Sequence, residues 1–284
     1  MNRILATLSF FTRLPFWRLK DIPKESYERV VPLWPLAGWV TSLAMAATIQ
    51  LTYCLFNSFY DSSVTLCCVL ALMVRILITG ALHEDGLADF CDGFGGGTTR
   101  EHTLEIMKDS HIGTYGVIGL IFYFLIMATA MTGVLNGADT LMYNDPTGLP
   151  IEQWDNWQVM FIIPCIIFIA DVMSKAVSST IIYSLPYARK EAEAKNKLVY
   201  VPTTLTDKIL TLLVSLVPCA VMLIFIFPRA IGSFAFALLM TFVARFLLVW
   251  YMRKRIQGYT GDCCGAMFII CECVFYLTLL VMSN

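Results

Sequence analysis

Charge is scarce in this chain: of 284 residues only 14% are Asp, Glu, Lys or Arg, against about 25% in soluble domains, while 58% are apolar or aromatic. That balance excludes an ordinary water-soluble globule, and equally a disordered chain, which needs high charge and few apolar residues. A basic excess is missing too. With 20 basic and 21 acidic residues the net charge is -1, which excludes the electrostatic footprint of a nucleic-acid binder. No CxxC pair occurs among the ten cysteines, and Cys54, Cys67, Cys68, Cys165, Cys219, Cys271 and Cys273 fall inside apolar runs, so they read as small buried hydrophobes rather than a disulfide framework. Internal repeats and low-complexity tracts are also lacking. The stretch from Met1 to Pro15 has too short an apolar run to span a bilayer and no small-residue cleavage site after it. Residues 1–32 therefore read as an amphipathic segment on the cytoplasmic membrane surface.

Long apolar runs, by contrast, are plentiful. About 20 such residues cross a bilayer, and seven nearly uncharged stretches qualify: Leu33 to Asn57, Val64 to Leu82, Tyr115 to Leu135, Val159 to Leu185, Ile209 to Phe227, Ala230 to Met252 and Cys264 to Met282. Backbone polar groups need partners at membrane depth, so the spans should be helices; the alternation of a barrel is absent. The expected fold is an all-α polytopic membrane bundle, a single domain over residues 1–284. With the N-terminus placed in the cytoplasm, sixteen of the twenty basic residues fall in inner segments and one, Arg229, in an outer one. This asymmetry supports that orientation. It places the loop 83–114, the loop 186–208 and the turn 253–263 on one cytoplasmic surface, and the insertion 136–158, with four acids and no bases, outside.

The loop 83–114 departs from that rule. Glu84, Asp85, Asp89, Asp92, Glu101, Glu105 and Asp109 crowd into it, against the positive-inside trend. At about 100° per residue, Asp85, Asp89 and Asp92 fall on one helical face with Glu84 beside it. Like charges at that spacing repel. A hard divalent cation relieves the repulsion, and Mg²⁺ typically takes one or two carboxylates together with substrate phosphate oxygens; a solvated acidic face is the alternative. Gly93, Gly95, Gly96 and Gly97 follow directly. Closely spaced glycines let a backbone approach phosphate, and the helix starting near Thr98 would offer free N–H groups; plain turns are the alternative reading of these glycines. Metal-binding carboxylates beside an anion cradle point to a diphosphate site.

Six motifs carry a resemblance to a known family: FFTRLP near the start, PLAG at 35–38, HEDGLADFCDGFGGG at 83–97, LEIMKDSHIGTYG at 104–116, PYAR at 186–189 and YTGDCCGA at 259–266. Together they resemble the cobalamin synthase family, the adenosylcobinamide-GDP ribazoletransferases, over nearly the whole chain. The resemblance implies a Mg²⁺-dependent transferase in the membrane that joins adenosylcobinamide-GDP to α-ribazole, or to α-ribazole 5′-phosphate, and releases GMP. Glu84, Asp85, Asp89 and Asp92 would hold the metal against the diphosphate. His83 or one carboxylate of the cluster, Asp89 or Asp92 included, would take the hydroxyl proton. Gly93, Gly95 and Gly96 would cradle phosphate. Lys108, Arg100, Arg189 and Lys190 would contact phosphates from the cytoplasmic face, where lipid headgroups are the default partner of such charges. Asp109 and Asp262 would serve as metal or ribose contacts, and Thr260 and Gly261 as a tight turn near the substrate, with helix capping the local alternative for Thr260 and Asp262.

Inside the spans, Asp171 and Lys175 should pair on one helix, Arg245 and Glu272 between helices, and Ser174, Ser178, Ser179 and Thr180 should line a cavity. Three departures from the family pattern stand out: His111 and Lys175 take positions usually held by Arg, and KEAEAKNK replaces a glycine pair after PYAR. The further partners expected are a second copy of the chain and other corrinoid-pathway enzymes, neither tied to particular residues. A membrane phosphotransferase of the CDP-alcohol type is the nearest rival, but its DGxxAR stretch is missing here. A secondary transporter would put its working acids at mid-membrane rather than in one dense cluster.

Overall fold

The structure is a computed structural model describing residues 1–56, 61–138, 156–189 and 200–283. Most of the 136–158 insertion, and Lys190 with the KEAEAKNK stretch, lie outside the described residues. The helices are α1 (Asn2–Phe11), α2 (Lys24–Tyr27), α3 (Trp34–Phe56), α4 (Asp61–Thr79), α5 (Leu82–Gly96), α6 (Arg100–Ile106), α7 (Thr114–Asn136), α8 (Asn156–Ser179), α9 (Ile181–Ser184), α10 (Leu205–Phe225), α11 (Ile231–Ile256) and α12 (Gly261–Ser283). Among the described residues there is no strand, only an isolated parallel bridge between Tyr187 and Tyr259.

Six helices are long and apolar enough to cross a membrane, and α4 with α5 makes a seventh span if that bent pair is counted as one. The polytopic helical bundle expected from composition is thus what forms. Burial sorts the spans. Residues of the α8 span are 83% buried, whereas those of α10 and α11 are 17% buried, so α8 is the axis and the other two lie at the periphery. Exposed side chains there, such as Leu213, Val217 and Ile224 on α10 and Phe246 and Trp250 on α11, are apolar. An apolar outer surface of this extent is what lipid contact requires.

One expectation fails. The polar stretch after Leu82 is not a surface loop: its first half, α5, is a helix whose residues His83, Glu84, Leu87, Ala88, Phe90, Asp92 and Phe94 are buried. It packs against α12 and α7. The chain turns by 93° between α4 and α5. Gly80 and Ala81 make that corner in the left-handed region, with φ of 67° and 60°, which glycine enters without strain and other residues seldom do. Arg13 holds the corner from outside, its backbone N–H donating to Ile78 O at 2.7 Å.

Small residues set the helix spacing. A Cβ at Gly86 would stand 2.9 Å from Asp262 O and 3.3 Å from Gly265 Cα, and one at Gly265 would stand 3.1 Å from His83 O. α5 and α12 therefore cross backbone to backbone, as small residues permit in membrane bundles. The N-terminal segment also differs from a helix lying loose on the membrane. α1 buries Ala6, Thr7 and Phe11, while Trp17 and Leu19 beyond it stay exposed. Arg3 Nη2 ties it to Asp207 Oδ1 at 2.8 Å, at the start of α10.

Candidate active site

The crossing of α5 and α12 opens onto a cavity of about 260 Å³. Besides Lys175, three charged side chains stand on its wall from three segments: Asp85 on α5, Asp262 at the start of α12, and Arg189 after α9. Asp85 is exposed and Asp262 buried. The bridge between Tyr187 and Tyr259 brings the last two segments together, with Ala188 N–H donating to Tyr259 O at 2.8 Å and Tyr259 N–H to Pro186 O at 2.9 Å. PYAR and YTGD, seventy residues apart, are thus one structural unit. Arg100 braces it by donating to Ala188 O at 2.7 Å and Ile256 O at 3.0 Å, and Arg189 Nη2 donates to Leu104 O at 3.1 Å. Arg100 is thus a brace between segments.

Below the charged groups the wall is aromatic. Phe11 packs edge-on to Trp34 at 5.5 Å and Trp34 to Tyr200 at 5.7 Å, measured between ring centroids. His83 lies between Phe11 at 5.9 Å, nearly parallel, and Phe268 at 4.7 Å. Burial pushes the phenols of Tyr187 and Tyr259 up, so this part of the wall stays uncharged. Under Phe268 sit two buried ion pairs. Lys175 Nζ lies 3.8 Å from the Phe268 ring centroid and pairs with Asp171, which also accepts from Thr41 Oγ1 at 2.5 Å. Arg75 Nη1 donates to both oxygens of Glu272, at 2.8 and 2.6 Å, and its Nη2 to Tyr123.

The expected acidic face does not hold together as one ligand set. Glu84 turns into the bundle, 3.8 Å from Arg75, with neither oxygen hydrogen-bonded among the described residues. Asp92 caps α7: its Oδ2 accepts from Gly113 N–H and its Oδ1 from Gly116 N–H. The helix repeat did align these carboxylates, but neighbouring elements claimed two of them. Asp85 alone of the four lines the cavity, and Asp89, one turn along, is half-buried with partners of its own. Among the described residues no three His, Cys, Asp or Glu side chains converge as a metal cage.

The glycine run is also different from the expected cradle. Gly93, Gly95 and Gly96 lie within α5, where Gly93 packs on α6, a Cβ there falling 3.1 Å from Thr103 O, and Gly95 on Tyr115, at 2.6 Å from its ring. Their backbone N–H groups sit inside the helix, so they are contacts for close packing. Lys108 and Asp109 are exposed beyond α6 and are not part of the cavity wall; His111 N–H and its ring bind Asp109 Oδ1 at 3.0 and 2.6 Å, and these bonds hold that carboxyl below its ordinary pKa. Thr260 takes the capping role, its Oγ1 accepting from Cys263 N–H at 3.3 Å, while Gly261 lines the cavity. Asp171 and Lys175 pair as expected and Ser178 reaches the wall. Arg245 does not meet Glu272: it donates to Thr180 Oγ1 at 2.9 Å and Thr180 O at 3.0 Å, and Arg75 takes Glu272 instead.

Sequence reasoning missed the aromatic wall altogether. Its rings come from segments scattered from Phe11 to Phe268, so no local period marks them. FFTRLP was the available signal, since it contains Phe10 and Phe11 and had no role.

A family model described as cobalamin-5-phosphate synthase matches residues 3–280. Proteins named adenosylcobinamide-GDP ribazoletransferase are similar over full length. That of Shewanella baltica is 31% identical, covering 100% of this chain and 95% of its own; that of Shewanella amazonensis is 32% identical, covering 99% and 96%; that of Vibrio parahaemolyticus is 32% identical, covering 99% and 92%. No solved structure matches.

Proposed function

The chain belongs to the cobalamin-5-phosphate synthase family, and we propose that the cavity mouth, where Asp85, Asp262 and Arg189 meet, is where its two substrates are joined. The protein is a transferase, an adenosylcobinamide-GDP ribazoletransferase. A hydroxyl of α-ribazole, or of its 5′-phosphate, forms the new P–O bond at the phosphorus next to cobinamide. The P–O bond to GMP breaks, and GMP carries away the electron pair. Such transfers depend on positioning and charge neutralisation more than on covalent help from the protein. The observation that carries the assignment is the meeting of three charged side chains from three distant motifs on one small cavity.

The donor set suits Mg²⁺. Asp85 and Asp262 line the cavity from two helices and Asp89 lies one turn from Asp85 along α5, all oxygen ligands, and Mg²⁺ needs only one or two of these when substrate phosphates complete its shell. Asp85 and Asp89 would hold it. Bound there, the ion supplies Lewis-acid neutralisation of the diphosphate. Arg189 places its guanidinium against the phosphates from the opposite wall, a fork geometry suited to them. Asp262 receives the hydroxyl proton. His83, recessed between Phe11 and Phe268, stands away from the mouth. The chain lies in the bacterial inner membrane with this mouth open to the cytoplasm, a placement supported by the basic residues around it, among them Arg100, Arg189, Arg253 and Arg255.

The test is reconstitution. Purified protein given adenosylcobinamide-GDP, α-ribazole and Mg²⁺ should release GMP and cobalamin in equal amounts. Asp85→Asn should lower turnover by about 100-fold or more, the scale on which a single electrostatic stabiliser acts, and should raise the Mg²⁺ needed for half-maximal rate. Normal turnover and Mg²⁺ response in that variant would remove Asp85 from the metal site.

A further inference from the structure

Mouth and interior of the cavity differ in chemistry, and the reaction so far uses only the mouth. Inside, Phe11, Trp34, Tyr200, His83 and Phe268 form a connected set of rings. Two ring nitrogens in that set, Nδ1 of His83 and Nε1 of Trp34, have no hydrogen-bond partner among the described residues, although each residue is only 4% exposed. Buried polar atoms are seldom left unmet. Both residues line the cavity, so a ligand there is their available partner.

We propose that this interior is the slot for the heterocyclic base of the acceptor nucleoside, the flat base of α-ribazole stacking between the rings while its hydroxyl reaches the carboxylates at the mouth. The inference rests on the ribazoletransferase reading and adds which substrate lies where. Size is the first argument. About 260 Å³ is below the roughly 300–1,000 Å³ of pockets that hold drug-sized ligands, and a corrinoid bearing GDP is far larger than those. Polarity is the second. A guanine base presents several donors and acceptors along one edge and needs several partners, whereas Lys175 is already engaged by Asp171 and the rings offer two nitrogens. A benzimidazole-type base carries one free ring nitrogen, an acceptor with a single lone pair, to which either Trp34 Nε1–H or the Nδ1–H tautomer of neutral His83 can donate.

The experiment uses the full-length protein in lipid nanodiscs. Wild-type release of GMP and cobalamin is measured first; if no product forms, the parent reading fails and this inference with it. With product forming, Phe11→Leu should raise the KM for α-ribazole about tenfold, the scale of one lost stacking partner, and leave the KM for adenosylcobinamide-GDP within about twofold. Trp34→Phe, which keeps an aromatic ring, serves where Phe11→Leu does not fold. α-Ribazole added alone should change tryptophan fluorescence in wild type, and the change should vanish in Trp34→Phe. A riboside whose base has carbon in place of the free ring nitrogen should be a poorer acceptor for wild type by about tenfold, and His83→Phe should narrow that preference. A raised KM for adenosylcobinamide-GDP with α-ribazole unaffected would overturn the inference while leaving the transferase activity standing.

Discussion

Asp92 accepts the backbone N–H groups of Gly113 and Gly116 at 2.7 and 2.8 Å, one on each carboxylate oxygen. A carboxylate at a helix N-terminus satisfies orphan donors and meets the positive end of the dipole. The glycines are required by the approach: a Cβ at Gly113 would stand 2.5 Å from Asp92 Oδ1. Asp92 thus locks α5 to α7. Asp92→Ala should reduce stability by about 1–3 kcal/mol, because two N–H groups, one buried and one part-buried, lose their acceptor, and Asp92→Asn by less. Heat inactivation in detergent reads this directly. In the surviving enzyme the Mg²⁺ concentration for half-maximal rate should not move; if it does, Asp92 belongs with the metal after all.

Arg75 and Glu272 are the most buried ion pair, at 1% and 0% exposure. Removing one partner leaves the other as an uncompensated charge among apolar side chains, a loss of about 3–5 kcal/mol, whereas removing both together can be nearly neutral. Arg75 also faces Glu84 and Tyr123, so Glu272→Gln should be milder than Arg75→Met. A double-mutant cycle followed by thermal unfolding should return strong coupling between 75 and 272. Additive losses would mean that Arg75 is held by Glu84 and Tyr123 instead.

These two contacts also mark where sequence reading succeeds and stops. Hydropathy located the spans because each apolar run reports its own solvent. The pairing of Asp171 with Lys175 was legible because both lie on one helix, four residues apart. Arg75 with Glu272, 197 residues apart, was not, since partner choice between helices depends on how they pack. The same limit explains the acidic cluster. Periodicity placed Asp85, Asp89 and Asp92 on one face, yet which of them stands at a cavity is decided by what packs on that face: α7 takes Asp92, and the Gly86–Gly265 crossing leaves Asp85 there. Glycines after Asp92 had two physical uses, phosphate approach and helix packing, and only the neighbouring side chains distinguish them.

Orientation follows from which end of the bundle carries the basic residues. Arg255 Nη2 donates to Gly97 O at 2.6 Å and Arg253 Nη2 to Ser184 O at 2.9 Å, so the C-terminal end of α11 closes over the ends of α5 and α9, beside the cavity. Arg229 lies between α10 and α11, one span away at the opposite end. With positive charge retained in the cytoplasm, the proposed placement has the cavity open inward and α12 carry the chain out. An alkaline phosphatase fused after Asn284 should therefore be active on the periplasmic side. An epitope tag inserted beside Lys108 should be protected in intact spheroplasts and reached by antibody only after permeabilisation. The reverse pattern in both would put the cavity on the periplasmic face, cut off from cytoplasmic nucleotides, and the basic residues around it would then need another explanation.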